Sequence, residues 1–181
     1  MDRIRLHDLK RVSSYIQKDL DKAYKDTIQE ACYLRGSAVQ EFEKQWTEYT
    51  GAEDCCALTS GTDALHTAAM LTGVGPGDEV IMPAHGFIAS IGPWLHTGAT
   101  IKYVDCKVSD YCIDEDKIEA QITDKTKVIL WIDVNGQTPD VDKILAIAKK
   151  HNLTTVEDAA PSAGASYKNR KVGTLADITC F

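Results

Sequence analysis

The sequence has no apolar run approaching the ~18–20 residues that cross a bilayer, so no membrane helix is expected. Its first residues, MDRIRLHDLKRV, are charged and lack the apolar core of a secretory signal. A cytoplasmic location is the expectation. None of the six cysteines falls in a CxxC spacing. That leaves no metal pattern, and reduced thiols fit better than a disulfide framework. Positive charge is also short, with 20 Lys and Arg against 27 Asp and Glu, a net charge of -7. Nothing here suggests a nucleic-acid partner. Only KNRK at 168–171 concentrates basic residues, and it reads as a solvated loop rather than a phosphate contact. There is no Walker A loop and no GxGxxG after the first strand, which argues against a generic nucleotide binder. Internal repeats and low-complexity linkers are missing too.

What remains is an ordinary globular composition. The chain has 181 residues, 44% of them apolar, enough to bury a core of one domain or somewhat more. Helical spacing of Val12, Tyr15, Ile16, Leu20 and Ala23 predicts an amphipathic helix from Val12 to about Ala31. Ser37 and Gln40 fit a capping box for a second helix that Gly51 stops. After residue 51 strand-like and helix-like stretches alternate. Strands are expected at 55–59, 79–83, 100–105, 127–133, in LTTVED, and again in DITCF. Helices are expected after Ser60, over about 88–96, after Asp114, and after a Thr138–Pro139 cap. Repeated strand–helix units imply crossover connections. The expected fold is therefore α/β: a mostly parallel central sheet with helices on both faces, preceded by N-terminal helices. The helical segment is placed at 1–51 and the α/β body at 52–181.

Ligands of open parallel sheets bind outside the carboxyl ends of the strands. Four stretches fall there: TSGTDAL, PAHGF, DVNGQ and EDAAPS. In the first, Ser60, Gly61, Thr62 and Asp63 pass from strand to helix. Their free amides suit an anion such as phosphate, though an ordinary N-cap explains the same residues. Glu157 and Asp158 are neighbours on a strand, so they face opposite ways and form no acid–base dyad. One of them can meet a cation, a ribose or a protonated ring nitrogen, or simply cap the loop. Phe87 can stack on a flat ligand or join the core. His66 and His85 stand alone and read as structural. Trp131 reads as core.

In order and content these stretches resemble the PLP-dependent sugar aminotransferase (DegT/StrS) family, a branch of the fold-type I PLP enzymes. The matching pieces are LHDLKR, LRGSAVQEFEKQW, LTSGTDALHTAAMLTGVGPGDEVIMPAHGFIAS, TIKYVD, VNGQTPDVDKILAIAKKHNLTTVEDAA and GASYKNRKVGTLADITCF. The resemblance implies pyridoxal 5'-phosphate (PLP) as cofactor. It assigns Ser60, Gly61, Thr62 and Asp63 to the cofactor phosphate, Phe87 to stacking on the pyridine ring, and Asp158 to the pyridinium nitrogen. It implies transfer of an amino group from an amino acid, usually glutamate, to a keto-sugar nucleotide, by a homodimer. Three departures stand out. Pro161 replaces a side chain that usually reaches the ring hydroxyl. Asp133 and Asn135 lie in DVNGQ, where the family often has His-Leu-Tyr-Gly-Gln. The family's catalytic lysine follows a motif like ADITCF and falls beyond Phe181. The expectation is thus the N-terminal, cofactor-binding part of such an enzyme, inactive alone, without the lysine or the small C-terminal domain. A PMP-dependent sugar dehydratase of the same fold, or a non-catalytic truncated or split chain that binds PLP, remain open alternatives.

Overall fold

The computed structural model describes residues 8–181. The chain divides into two compact units, Met1–Gln45 and Trp46–Phe181.

In the first unit the expected single helix is two: α1, Leu9–Tyr15, and α2, Gln17–Glu30. The Ser14 hydroxyl donates to the Arg11 carbonyl at 2.7 Å. The Ile16 amide bonds back to Ser13 rather than Val12. Serine back-bonding of this kind competes with the helical ladder, and a periodicity count does not register it. Neither helix buries a residue, so the Val12, Tyr15, Leu20, Tyr24 and Ile28 side chains are exposed. α3 spans Ser37–Thr50. The expected capping box does not form: Ser37 Oγ donates to Glu30 Oε2 at 2.8 Å, and the amides of Val39 and Gln40 turn back to the Gly36 carbonyl.

The second unit carries α4 (Gly61–Leu71), β1 (Glu79–Pro83), α5 (Ile88–His96), β2 (Thr100–Val104) and α6 (Glu115–Ile118). It continues with β3 (Thr126–Ile132), α7 (Val141–His151) and β4 (Thr154–Asp158). The hairpin β5 (Ser166–Tyr167) and β6 (Arg170–Lys171) follows, and β7 (Ile178–Cys180) is the last strand. β2, β1, β3, β4 and β7 form one sheet in that order, every pair parallel. This is the expected α/β architecture. The run at 55–59 is the exception: it takes no regular secondary structure, because strand-like composition becomes a strand only where a ladder neighbour meets it.

β3 shows why helices cover both faces. Val128, Leu130 and Ile132 pack with Leu65, Ala68 and Ala69 of α4 and Trp94 of α5. Ile129 and Trp131 point the other way, toward Ile118 of α6 and Val141, Ile144 and Ile147 of α7. The period of two therefore sorts a continuous apolar strand onto two cores. The α7 cap is Asp140, not the Thr138–Pro139 pair, because its side chain accepts from the Lys143 amide. KNRK is a tight hairpin rather than a loose loop. Lys168 (φ 46°) and Asn169 (φ 66°) take left-handed conformations, as in hairpin turns that follow the strand twist. Lys168 and Arg170 both pair with Asp142.

Gly173 closes the loop after this hairpin at φ +107°. A Cβ there would lie 3.0 Å from Thr50 Cβ and 3.3 Å from the Phe181 ring. Gly173→Ala is expected to cost about 1–3 kcal/mol, read as a lower urea midpoint at unchanged slope.

Candidate functional site

The strand order changes direction at β1, with β2 on one side and β3 on the other. Such a switch point opens a crevice at the carboxyl ends. Gly86 bridges it: a Cβ at this position would lie 2.3 Å from Ile132 Cδ1 at the end of β3. With glycine there the backbone of PAHGF passes close over the end of β3 without displacing the Ile132 side chain.

Asp158 ends β4 on the face shared with Val156, and is 5% exposed. Its Oδ2 accepts from Ser90 Oγ at 2.5 Å, and its Oδ1 from the Ala160 amide at 3.3 Å. Ser90 lies in α5, and its amide bonds to the Phe87 carbonyl. Phe87 is therefore one helical turn from Ser90. It is the N-cap of α5 and is 71% exposed. Of its two expected fates, stacking on a flat ligand or joining the core, its exposure excludes the core. Ser90 itself escaped the sequence reading. The only signal was a lone hydroxyl in the apolar run IASIGPWL.

β7 brings the third part. Asp158 is in register with Cys180, and the Ala159 amide bonds to the Cys180 carbonyl at 2.7 Å. The next carbonyl, of Phe181, would lie 3.2 Å from a Cβ on Gly61. The start of α4 is thereby seated against the end of β7, one strand from Asp158. Ser60 is the N-cap, its Oγ accepting from the Asp63 amide at 3.2 Å. The amides of Gly61 and Thr62 have no acceptor within the helix and sit at its positive end. Of the two readings of TSGTDAL, the N-cap is observed, with Ser60 capping Asp63.

Glu157 faces away from this group, as neighbouring strand residues must. Its Oε2 accepts from Thr179 Oγ1 at 2.9 Å. Asp133 is on that far side too. It is fully buried and accepts from Ser162 Oγ at 2.6 Å, so it adds no polarity beside Asp158. Pro161 and Asn135 are exposed, with the Pro161 carbonyl against Gly136. His66 lies against His96 with rings tilted at 55° and centroids 5.6 Å apart, and His85 lies exposed near Tyr111.

The residues fit a flat ligand with an anionic arm and a cationic ring nitrogen. A helix start with two open amides lies at one end. At the other lies a buried carboxyl group whose hydrogen-bond partners, Ser90 and Ala160, are both neutral. An exposed aromatic ring stands at the rim.

Comparison with known proteins bears on this arrangement. Residues 14–181 match the DegT/DnrJ/EryC1/StrS aminotransferase family. The chain is 37% identical over 174 residues to the dTDP-3-amino-3,6-dideoxy-alpha-D-galactopyranose transaminase of Aneurinibacillus thermoaerophilus, covering 96% of this chain and 48% of that protein. It is 38% identical over 173 residues to the UDP-2-acetamido-2-deoxy-3-oxo-D-glucuronate aminotransferase of Pseudomonas aeruginosa, with coverage of 96% and 48%. Among solved structures it resembles S. venezuelae DesV in complex with a ketimine intermediate, with a TM-score of 0.93 and 33% identity, over 96% of this chain and 47% of that one. It also resembles NtdA from Bacillus subtilis with bound cofactor PMP, with a TM-score of 0.90 and 32% identity, over 99% and 40%. The chain spans about half the length of the curated relatives it matches. Family match and fold agree, and the chain belongs to the DegT/DnrJ/EryC1/StrS aminotransferase family.

Proposed function

We propose that this chain forms the cofactor-binding part of a PLP-dependent aminotransferase that acts on a keto-sugar nucleotide in aminosugar biosynthesis. The observation that carries the reading is Asp158. It is a buried carboxyl group with neutral hydrogen-bond partners, at the carboxyl end of β4 and beside the open start of α4. The curated relatives named above are transaminases of nucleotide sugars, which supports the substrate class. Glutamate is the proposed amino donor, the cytoplasm the proposed location and a homodimer the proposed assembly. No described helix is long and apolar enough to cross a membrane.

Each residue has a stated task. The Gly61 and Thr62 amides bind the phosphate of PLP, with the helix dipole behind them. Ser60 and Asp63 keep that first turn in shape through their cap bond. Phe87 covers one face of the ring and keeps water from it. Asp158 accepts from the ring N–H and holds the proton there. Ser90 orients the Asp158 carboxyl from below. Bound PLP supplies the electron sink for amino-group chemistry.

The test uses the complete polypeptide that contains this chain, supplied with PLP, glutamate and a panel of keto-sugar nucleotides. The expected result is a cofactor absorbance band and an aminated sugar nucleotide. Absence of both, with every donor and sugar tried, would overturn the reading.

A further inference from the structure

We propose that Asp133 and Glu157 share one proton, linking Asp133 Oδ1 to Glu157 Oε1 on the sheet face behind Asp158, and that this link holds the 158–162 turn in place. Both residues are fully buried. Each has one oxygen satisfied by a hydroxyl: Asp133 Oδ2 by Ser162 at 2.6 Å, and Glu157 Oε2 by Thr179 at 2.9 Å. Each has its other oxygen, Asp133 Oδ1 and Glu157 Oε1, without a donor. Register places the two side chains on one face of the sheet. Trp131 is opposite Glu157 in the β3–β4 ladder, and Asp133, two residues on, falls on the same face. A proton between the two carboxyls would satisfy both orphaned oxygens at once.

The surroundings favour that proton. Burial first, and then the Glu157 charge, push the Asp133 carboxyl up to about 8. Burial likewise pushes Glu157 up. The other titratable groups facing the pair are no source of positive charge. Cys112, from the 106–113 loop, is pushed up to about 11 by burial and then by Asp110. Cys180 of β7 is pushed up to about 12, by burial and then by Asp158 and Glu157. The Trp131 indole and the Gly173 amide lie beside the carboxyls and are neutral.

The pair is tied to the candidate site through the main chain. The Asp133 amide donates to the Asp158 carbonyl at 3.1 Å, and Ser162, which binds Asp133, bonds its own amide to Ala159. Asp133 thus grips both ends of the turn that carries Asp158. Losing the shared proton would set two buried negative charges against each other at this point. The folded protein holds this proton above the ordinary carboxylate range. Its contribution is therefore complete at low pH and lost as pH rises through about 8. Between the ordinary carboxylate range and about 8 the folding equilibrium falls by up to about tenfold per pH unit, and it levels off above. Asp133 and Glu157 are positioning residues, and their effect on cofactor rests on the role given to Asp158 above.

The experiment compares the intact wild-type protein with Asp133→Asn and Glu157→Gln. An amide replaces the shared proton with an N–H donor, so both variants keep the link without the extra proton. Difference infrared spectra near neutral pH are expected to show a carboxylic acid carbonyl band in the wild type that both variants lack. The wild-type band is expected to vanish as pH rises through about 8, which reads the same proton should a variant fail to fold. No such band in the wild type overturns the proposal. PLP affinity of the wild type is expected to fall through that pH range more steeply than that of Asp133→Asn. Parallel pH profiles would overturn the positioning role. A wild type that shows the band yet binds no PLP at any pH supports the shared proton and counts against the aminotransferase reading instead.

Discussion

Asp158→Asn in the intact protein is expected to lower turnover about 10²–10³-fold, with PLP affinity falling alongside and the cofactor-free fold no less stable. The two halves of this result have different physics. Asparagine matches aspartate in shape, and its Oδ1 can still accept from Ser90 or Ala160. It also removes a carboxyl group that is buried among neutral partners, a placement that burial disfavours. The fold therefore loses nothing large. The chemistry loses the charge that keeps the pyridine nitrogen protonated, and a neutral ring is a weaker electron sink. Steady-state turnover, PLP titration and thermal unfolding of the cofactor-free protein check the split. Unchanged turnover and affinity would remove Asp158 from the role. A collapse of cofactor-free stability would make it a structural residue.

Trp94→Ala is expected to be the most damaging single change to stability, at about 3–5 kcal/mol. Trp94 is fully buried in the core between the sheet, α4 and α5. Its indole N–H has no hydrogen-bond partner, so the loss is one of volume and contact rather than of polarity. The surrounding residues come from three different elements, and a hole of this size cannot close by moving one of them. Trp94 also lies in the helix that carries Ser90 and starts at Phe87. The same variant is thus expected to weaken PLP binding at temperatures where it remains folded. Urea unfolding gives the stability, and Trp94→Phe should recover much of it because a ring still fills most of the space. Equal losses for alanine and phenylalanine would contradict a packing role.

The sheet was legible because its signal is local. The apolar run around β3, the alternation around β2, and Pro83 after EVI each occupy a few consecutive residues, and each matched a strand. The opposite facing of Glu157 and Asp158 followed from strand geometry alone. The errors arose where a local signal had two outcomes. A run such as CCALT is strand-like wherever it occurs, but pairing is a property of its neighbours. The apolar spacing from Val12 onward is helical on both sides of Ile16, and the break lies where the Ile16 amide turns back to the Ser13 carbonyl.

By itself the sequence determined the order of elements, the α/β class, the family, and which residue types reach the strand ends. Backbone periodicity and turn chemistry are read over a handful of residues, and the motif series spans nearly the whole chain. Only the tertiary structure decided which of those residues meet. Ser90 reaches Asp158 across 68 positions of sequence. Gly61 lies where a Cβ would stand 3.2 Å from the Phe181 carbonyl. Asp133 and Glu157 fall on one side of the sheet because the β3–β4 register sets Trp131 opposite Glu157. Such contacts depend on strand order and register, which are set by the packing of two whole cores and are written in no single stretch of the chain.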